Sequence, residues 1–157
     1  MTDNPVYIML VGVPAAGKST FREYAFSYGY TIFSTDYQLE QIAKQLNKTY
    51  NEVFTDYYVE SNNLAEETLD IALDRGYDIV DDHNNLTVAT RRRRLRFIPS
   101  HYTKIAMVLN PPPMDEYRRR INNRPGKVIP EPVIQHMLAA FTVPTTEEGF
   151  DFVTELQ

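Results

Sequence analysis

The densest chemistry in the sequence lies in one short stretch, Gly12-Val-Pro-Ala-Ala-Gly-Lys-Ser-Thr20. From Gly12 to Ser19 it matches G-x-x-x-x-G-K-[ST] in full, the spacing of a loop that cradles phosphate. Glycine is needed where a backbone turns tightly and comes close to an anion, and Gly12 and Gly17 stand at those points. With Pro14, Ala15 and Ala16 between them, they bring successive amide N–H groups and the positive end of the next helix around a nucleotide's phosphates. In such a loop Lys18 reaches the β and γ phosphates, the Ser19 hydroxyl joins the magnesium shell, and Thr20 lies close to the α phosphate. The pattern therefore implies ATP or GTP, bound as its magnesium complex.

Carboxylates and arginines form a second set. Asp36, in Ser34-Thr35-Asp36, could take the proton of a hydroxyl attacking the γ phosphate, or could cap the helix that follows. One of Asp81 and Asp82 could hold magnesium through water, with Asp81 taken for that role, and Asp82 could instead touch the acceptor; a solvated turn with Asn84 and Asn85 is the plainer alternative. His83 has no ligand-like partner in spacing, so zinc is not expected. Arg91-Arg-Arg-Arg94 and Arg96 are too many cations for one helix face. Either Arg92 and Arg93 contact the phosphates of a nucleic-acid strand, or the run is a solvated face paired with acidic residues. Arg118-Arg-Arg120 and Arg124, in a Pro-Gly loop, have the composition of a lid that brings Arg120 and Arg124 to the transition-state charge. Arg118 and Arg119 could instead lie exposed beside Asp115 and Glu116.

These residues need elements to hold them. Val6-Tyr-Ile-Met-Leu-Val11 is a continuous apolar run, as a strand buried on both faces would be. A helix over Lys18–Tyr28, stopped by Gly29, and a strand over Tyr30–Ser34 complete one βαβ unit. Helices are expected over Asp36–Leu46 and Tyr50–Arg75, a strand over Tyr77–Val80, a helix over Thr87–Ile98 and a strand over Lys104–Leu109. Pro111-Pro-Pro113 precedes a basic helix, Met114–Asn122, then a loop, a helix over Glu131–Ala140, and a closing strand within Gly149–Leu156. With no repeat or linker in view, this alternation predicts one α/β domain over residues 1–157: a central parallel sheet between helical layers, with an arginine-bearing helical lid.

Composition narrows the function classes. A chain 43% hydrophobic and 24% charged is globular rather than disordered, and its lack of cysteine excludes disulfides and thiolate metal sites. No stretch approaches the roughly 20 apolar residues of a membrane span, and the start lacks a secretory pattern, so a cytoplasmic location is expected. A net charge of −5 argues against broad electrostatic capture of nucleic acid and leaves only a local basic groove for it.

Taken together, these motifs resemble the kinase domain of polynucleotide 5′-hydroxyl kinases, the phage end-healing and eukaryotic DNA-repair type. The likeness rests on Gly12-x-Pro-x-x-Gly-Lys-Ser-Thr20, Ser34-Thr-Asp36, and Asp81-Asp-His-Asn84 before an arginine-bearing helix. It continues through the arginines to Arg124, Val128-Ile-Pro-Glu-x-Val133, and Phe141-Thr-Val-Pro-Thr-Thr-Glu-Glu-Gly149-Phe-Asp. It implies ATP at Lys18 and Ser19, a base at Asp36, an acceptor or magnesium contact at Asp82, lid arginines at Arg120 and Arg124, and a DNA or RNA 5′ end as acceptor. In a phage, the location would be the host cytoplasm. Phage members carry an arginine just beyond the base, and Tyr37-Gln-Leu-Glu-Gln-Ile42 has none. Another hydroxyl, on a small metabolite or a modified DNA base, is the alternative acceptor.

Overall fold

The computed structural model describes residues 3–156. Five strands, β1 (Val6–Val11), β2 (Thr31–Phe33), β3 (Ile79–Asp81), β4 (Thr103–Leu109) and β5 (Phe152–Leu156), form one sheet in the order β2-β3-β1-β4-β5. Every pairing is parallel, as the strand–helix alternation predicts.

The central position of β1 follows from its composition, since only a strand covered on both faces can be apolar at every position. Tyr7, Met9 and Val11 face one core with Leu69 and Ala72 of α3 (Tyr50–Arg75) and Leu95 of α4 (Val88–Leu95). Ile8 and Leu10 face the other, with Phe26 just beyond α1 (Lys18–Ala25). The sheet is thus the middle layer of three. Because the strands run the same way, the residues that follow β1, β2 and β3 emerge at one edge, where ligands of such sheets bind.

Caps explain where the helices begin and end. Ser34 starts α2 (Thr35–Leu46), its Oγ accepting from Tyr37 N–H at 3.1 Å. Thr49 and Glu52 form a reciprocal capping box at the start of α3, and Gly76, with φ 65°, ends it. Thr87 caps α4. The helix expected to reach Tyr28 stops at Ala25 because Phe26 leaves helical geometry and packs edge-on against Phe21 and Tyr30. The fourth helix stops at Leu95, with Phe97 and Ile98 held by tighter i to i−3 hydrogen bonds. After β4 come α5 (Met114–Asn122) and α6 (Glu131–Ala140); their Tyr117 and Ile134 pack with Val13, Ala16 and Leu109 against the phosphate loop. The last strand falls within the expected tail. Among the described residues no helix is long and apolar enough to cross a membrane.

Candidate active site

The loop between β1 and α1 has the shape its glycines allow. A Cβ on Gly12 would lie 2.7 Å from the Leu109 carbonyl oxygen, too close for any side chain, and Gly17 takes φ 104°. Gly12 N–H donates to the Asn84 carbonyl at 3.0 Å, which ties the loop to the segment after β3. No side chain caps α1, so its first-turn N–H groups stay available to an anion. Lys18 is buried, and its Nζ donates to the carbonyls of Gly12 (2.7 Å) and Val13 (3.1 Å) and to Asn84 Oδ1 (3.0 Å). Burial lowers its pKa to about 8, against the opposing pull of the Asp82 and Asp36 carboxylates. Ser19 and Thr20 are exposed on the wall of the same cleft, which has a volume of about 1530 Å³.

Asp36 lies on that wall in the first turn of α2. Ser34 is the helix cap, so the Asp36 carboxylate is free of that task. Its Oδ1 accepts from the Tyr50 hydroxyl at 2.7 Å and its Oδ2 from Lys127 Nζ at 3.1 Å. Burial would raise its pKa, but the Lys127 ammonium and the two hydrogen bonds outweigh burial and hold it below the ordinary carboxylate value. Lys127 also donates to Glu40 Oε1 at 3.2 Å and sits 4.1 Å from the centre of the Tyr50 ring. The loop that carries Lys127 is latched to the start of α3, where Asn51 N–H meets the Gly126 carbonyl and Val128 N–H meets Asn51 Oδ1. Neither Lys127 nor Tyr50 has a motif to single it out; only the fold brings them to Asp36.

The two aspartates after β3 part company, and the magnesium role expected for Asp81 does not fit its surroundings. Asp81 is fully buried outside the cleft: Oδ2 takes the Tyr7 hydroxyl at 2.6 Å, and Oδ1 takes His83 Nδ1 at 2.7 Å and Asn85 Nδ2 at 3.2 Å. Strand alternation turns it to the α3 and α4 side. Its neighbour Asp82 faces the cleft, paired with buried Arg22 of α1 at 2.5 Å. Burial raises the Asp82 pKa, and Arg22 and Lys18 counter that rise in part. Arg22 in turn lies 5.2 Å from the Tyr37 ring centre.

Among the arginines, the fold separates the two clusters. Arg120 and Arg124 line the cleft; Arg120 is held by Glu116 at 2.8 Å, and Arg124 has a buried Nη1 with no hydrogen-bond partner. Arg119 also reaches the rim, paired with Glu116, while Arg118 pairs with Glu131. In α4 neither expectation holds for Arg91, which is wholly buried and donates to both oxygens of Glu148 (2.7 and 2.9 Å) and to the carbonyls of Asn85, Leu86 and Thr142. Arg94 pairs with Glu66 and lies over the Phe33 ring. Arg92 and Arg93 are exposed on the far side of α4 and do not line the cleft, so the acceptor contact expected of them has no support in the geometry.

The residues of the cleft fit a magnesium nucleotide: an uncapped helix end and an orphaned guanidinium nitrogen can take an anion, a buried ammonium stands beside them, and the Ser19 hydroxyl suits the magnesium shell. Among the described residues no group of three His, Cys, Asp or Glu could hold a metal alone, and magnesium in such sites is held largely by phosphate and water. Sheet order, phosphate loop and arginine-bearing helices define a P-loop kinase fold. Residues 7–144 match the AAA domain family, and the chain belongs to that family. A candidate kinase from Chloroflexus aurantiacus superposes with a TM-score of 0.69 at 16% identity, over 99% of this chain and 86% of that one. A chain of the Pnkp1/Rnl/Hen1 RNA repair complex gives 0.69 at 21% identity over 97% of this chain, which spans 48% of the repair protein. A gluconokinase from Sinorhizobium meliloti gives 0.52 at 17% identity, over 98% and 82%. At such identities the likeness is one of fold.

Proposed function

We propose that this protein is a kinase that transfers the γ-phosphate of ATP to the 5′-hydroxyl end of a DNA or RNA strand. The observation that carries this reading is the position of Asp36, an ionised carboxylate that shares one cleft with the phosphate loop and the lid cations. Asp36 accepts the proton as the acceptor oxygen bonds to the γ phosphorus; the bond from phosphorus to the β–γ bridging oxygen breaks, and ADP leaves. Lys18, Arg120 and Arg124 stabilise the charge on the transferring group, and Asp82, fixed by Arg22, is the polar group available to the acceptor. Ser19 would hold the magnesium that travels with the nucleotide, and that ion would neutralise phosphate charge. The cleft is larger than the 300–1,000 Å³ typical of small-molecule pockets, leaving room for an acceptor beside the nucleotide. The likeness to a chain of an RNA repair complex points the same way.

A second acceptor class is favoured by one observation: the residues just beyond Asp36, 37–42, include no Lys or Arg, and Glu40 adds a negative charge there. A small polyhydroxyl compound suits that surface, and a gluconokinase shares the fold. The deciding experiment incubates the protein with γ-labelled ATP, magnesium, 5′-hydroxyl DNA and RNA oligonucleotides and a panel of small hydroxyl compounds. Label at oligonucleotide 5′ ends is expected, with Lys18→Ala inactive and Asp36→Asn slower by ~10² or more at nearly unchanged nucleotide affinity. Label only on a small compound, or only as free phosphate, would sink the polynucleotide assignment.

A further inference from the structure

Three aromatic rings stand in line along one face of α3. Tyr50, Phe54 and Tyr58 are spaced four residues apart, with ring centres 5.7 and 5.2 Å from one to the next. Phe54 is 41% exposed and Tyr58 44%. The line has a direction: Tyr50 gives its hydroxyl to Asp36 and lines the cleft with Phe54, whereas Tyr58 lies beyond the cleft. Aromatic pairs at this spacing add little to a helix's own stability. Large half-exposed rings continuous with a site mark a surface that something covers.

From this we infer that the three rings are a stacking track for the nucleotides that follow the reacting 5′ end of a single-stranded acceptor. The inference rests on the polynucleotide reading above and extends it to how the strand is held. Every base has a π-face, so a row of rings binds single strands with little regard to sequence. Cations are concentrated at the Asp36 end, where Lys127 and Arg124 stand. Further along, α3 carries no Lys or Arg before Arg75, so nothing on the helix beside Phe54 and Tyr58 neutralises a phosphate backbone. Bases therefore face the rings and phosphates face solvent. Two consequences follow: affinity rises with length until the rings are covered, and the salt dependence is shallow, because few phosphates are neutralised.

The test measures KM for a 5′-hydroxyl thymidine hexamer and for thymidine 3′-phosphate, which presents the same hydroxyl with no following base. Wild type, Phe54→Ala and Tyr58→Ala are compared, with KM for ATP and thermal unfolding alongside. The expected result is a KM for the hexamer raised at least about fivefold in each variant. For Tyr58→Ala, KM for ATP and for thymidine 3′-phosphate stays unchanged, and Phe54→Leu, which keeps bulk without a ring, behaves like Phe54→Ala. Equal KM values for the hexamer in wild type and variants would overturn the track while leaving the polynucleotide reading in place. Failure of wild type to phosphorylate any oligonucleotide would overturn both.

Discussion

Lys127 Nζ lies 3.1 Å from Asp36 Oδ2, joining the loop between α5 and α6 to α2 across 91 positions of sequence. The contact has a chemical consequence, since the ammonium favours the ionised carboxylate and with Tyr50 keeps the Asp36 pKa below its ordinary value. A base is active when unprotonated, so the acidic limb of the rate profile should lie below the usual carboxylate range. In Lys127→Ala that limb should move to higher pH, while the plateau rate near pH 8 changes less. Profiles of kcat/KM for the two proteins decide this. An unmoved limb would mean that Lys127 does not tune the base.

Lys18 titrates in an accessible range. Its pKa, lowered by burial to about 8, must rise again when phosphates surround the ammonium, so nucleotide binding takes up a proton above that pH. The nucleotide dissociation constant should therefore grow by up to about tenfold per pH unit above 8. Calorimetric titrations in buffers of different ionisation enthalpy would show the proton uptake directly. In the nucleotide-free protein the unfolded chain binds this proton more tightly than the folded one between pH 8 and 10.5. The Lys18 contribution to stability accordingly rises across that window, and Lys18→Met should remove the rise.

The phosphate loop was legible because its chemistry is local: eight adjacent positions, two glycines and a strand before them carry the signal. The sheet was legible for a related reason, since a strand buried on both faces must be apolar throughout, as Val6–Val11 is. Contacts between distant segments have no such mark. The Arg22–Asp82 pair spans 60 positions, and neither partner stands in a pattern that anticipates it. Asp81 and Asp82 are identical in type and adjacent, yet strand alternation sends one into the core and the other into the cleft. The arginine run misleads likewise, because helical geometry, not composition, picks the one member that is buried.

That member, Arg91, makes a prediction about stability rather than rate. Its guanidinium and the Glu148 carboxylate are both shielded from water, and removing one partner strands the other charge. Arg91→Ala should destabilise the fold by about 3–5 kcal/mol. Arg92→Ala and Arg93→Ala, on the exposed side, should change stability by no more than about 0.5 kcal/mol. Urea unfolding of the three variants makes the comparison. Equal midpoints would show that the buried pair contributes far less than its burial implies.

His83 links the core to α2: Nδ1 meets Asp81 Oδ1 at 2.7 Å, and Nε2 accepts from Thr35 N–H at 3.2 Å, one residue before Asp36. Burial works against the charged ring, but the Asp81 carboxylate wins and raises the His83 pKa above 6.5. On protonation, Nε2 must exchange the Thr35 N–H for the Thr35 hydroxyl, also at 3.2 Å, as acceptor. Because the folded pKa is the higher one, the stability that His83 contributes by holding a proton is fully present below pH 6.5 and fades as pH rises through the folded value. His83→Asn should flatten that part of the stability profile measured by urea unfolding between about pH 5 and 9. It should also slow transfer without weakening nucleotide binding, since the ring orients the helix that carries Asp36 and touches no phosphate site. A variant that kept the wild-type profile would show that the His83–Asp81 contact does not bind the proton more tightly in the folded state.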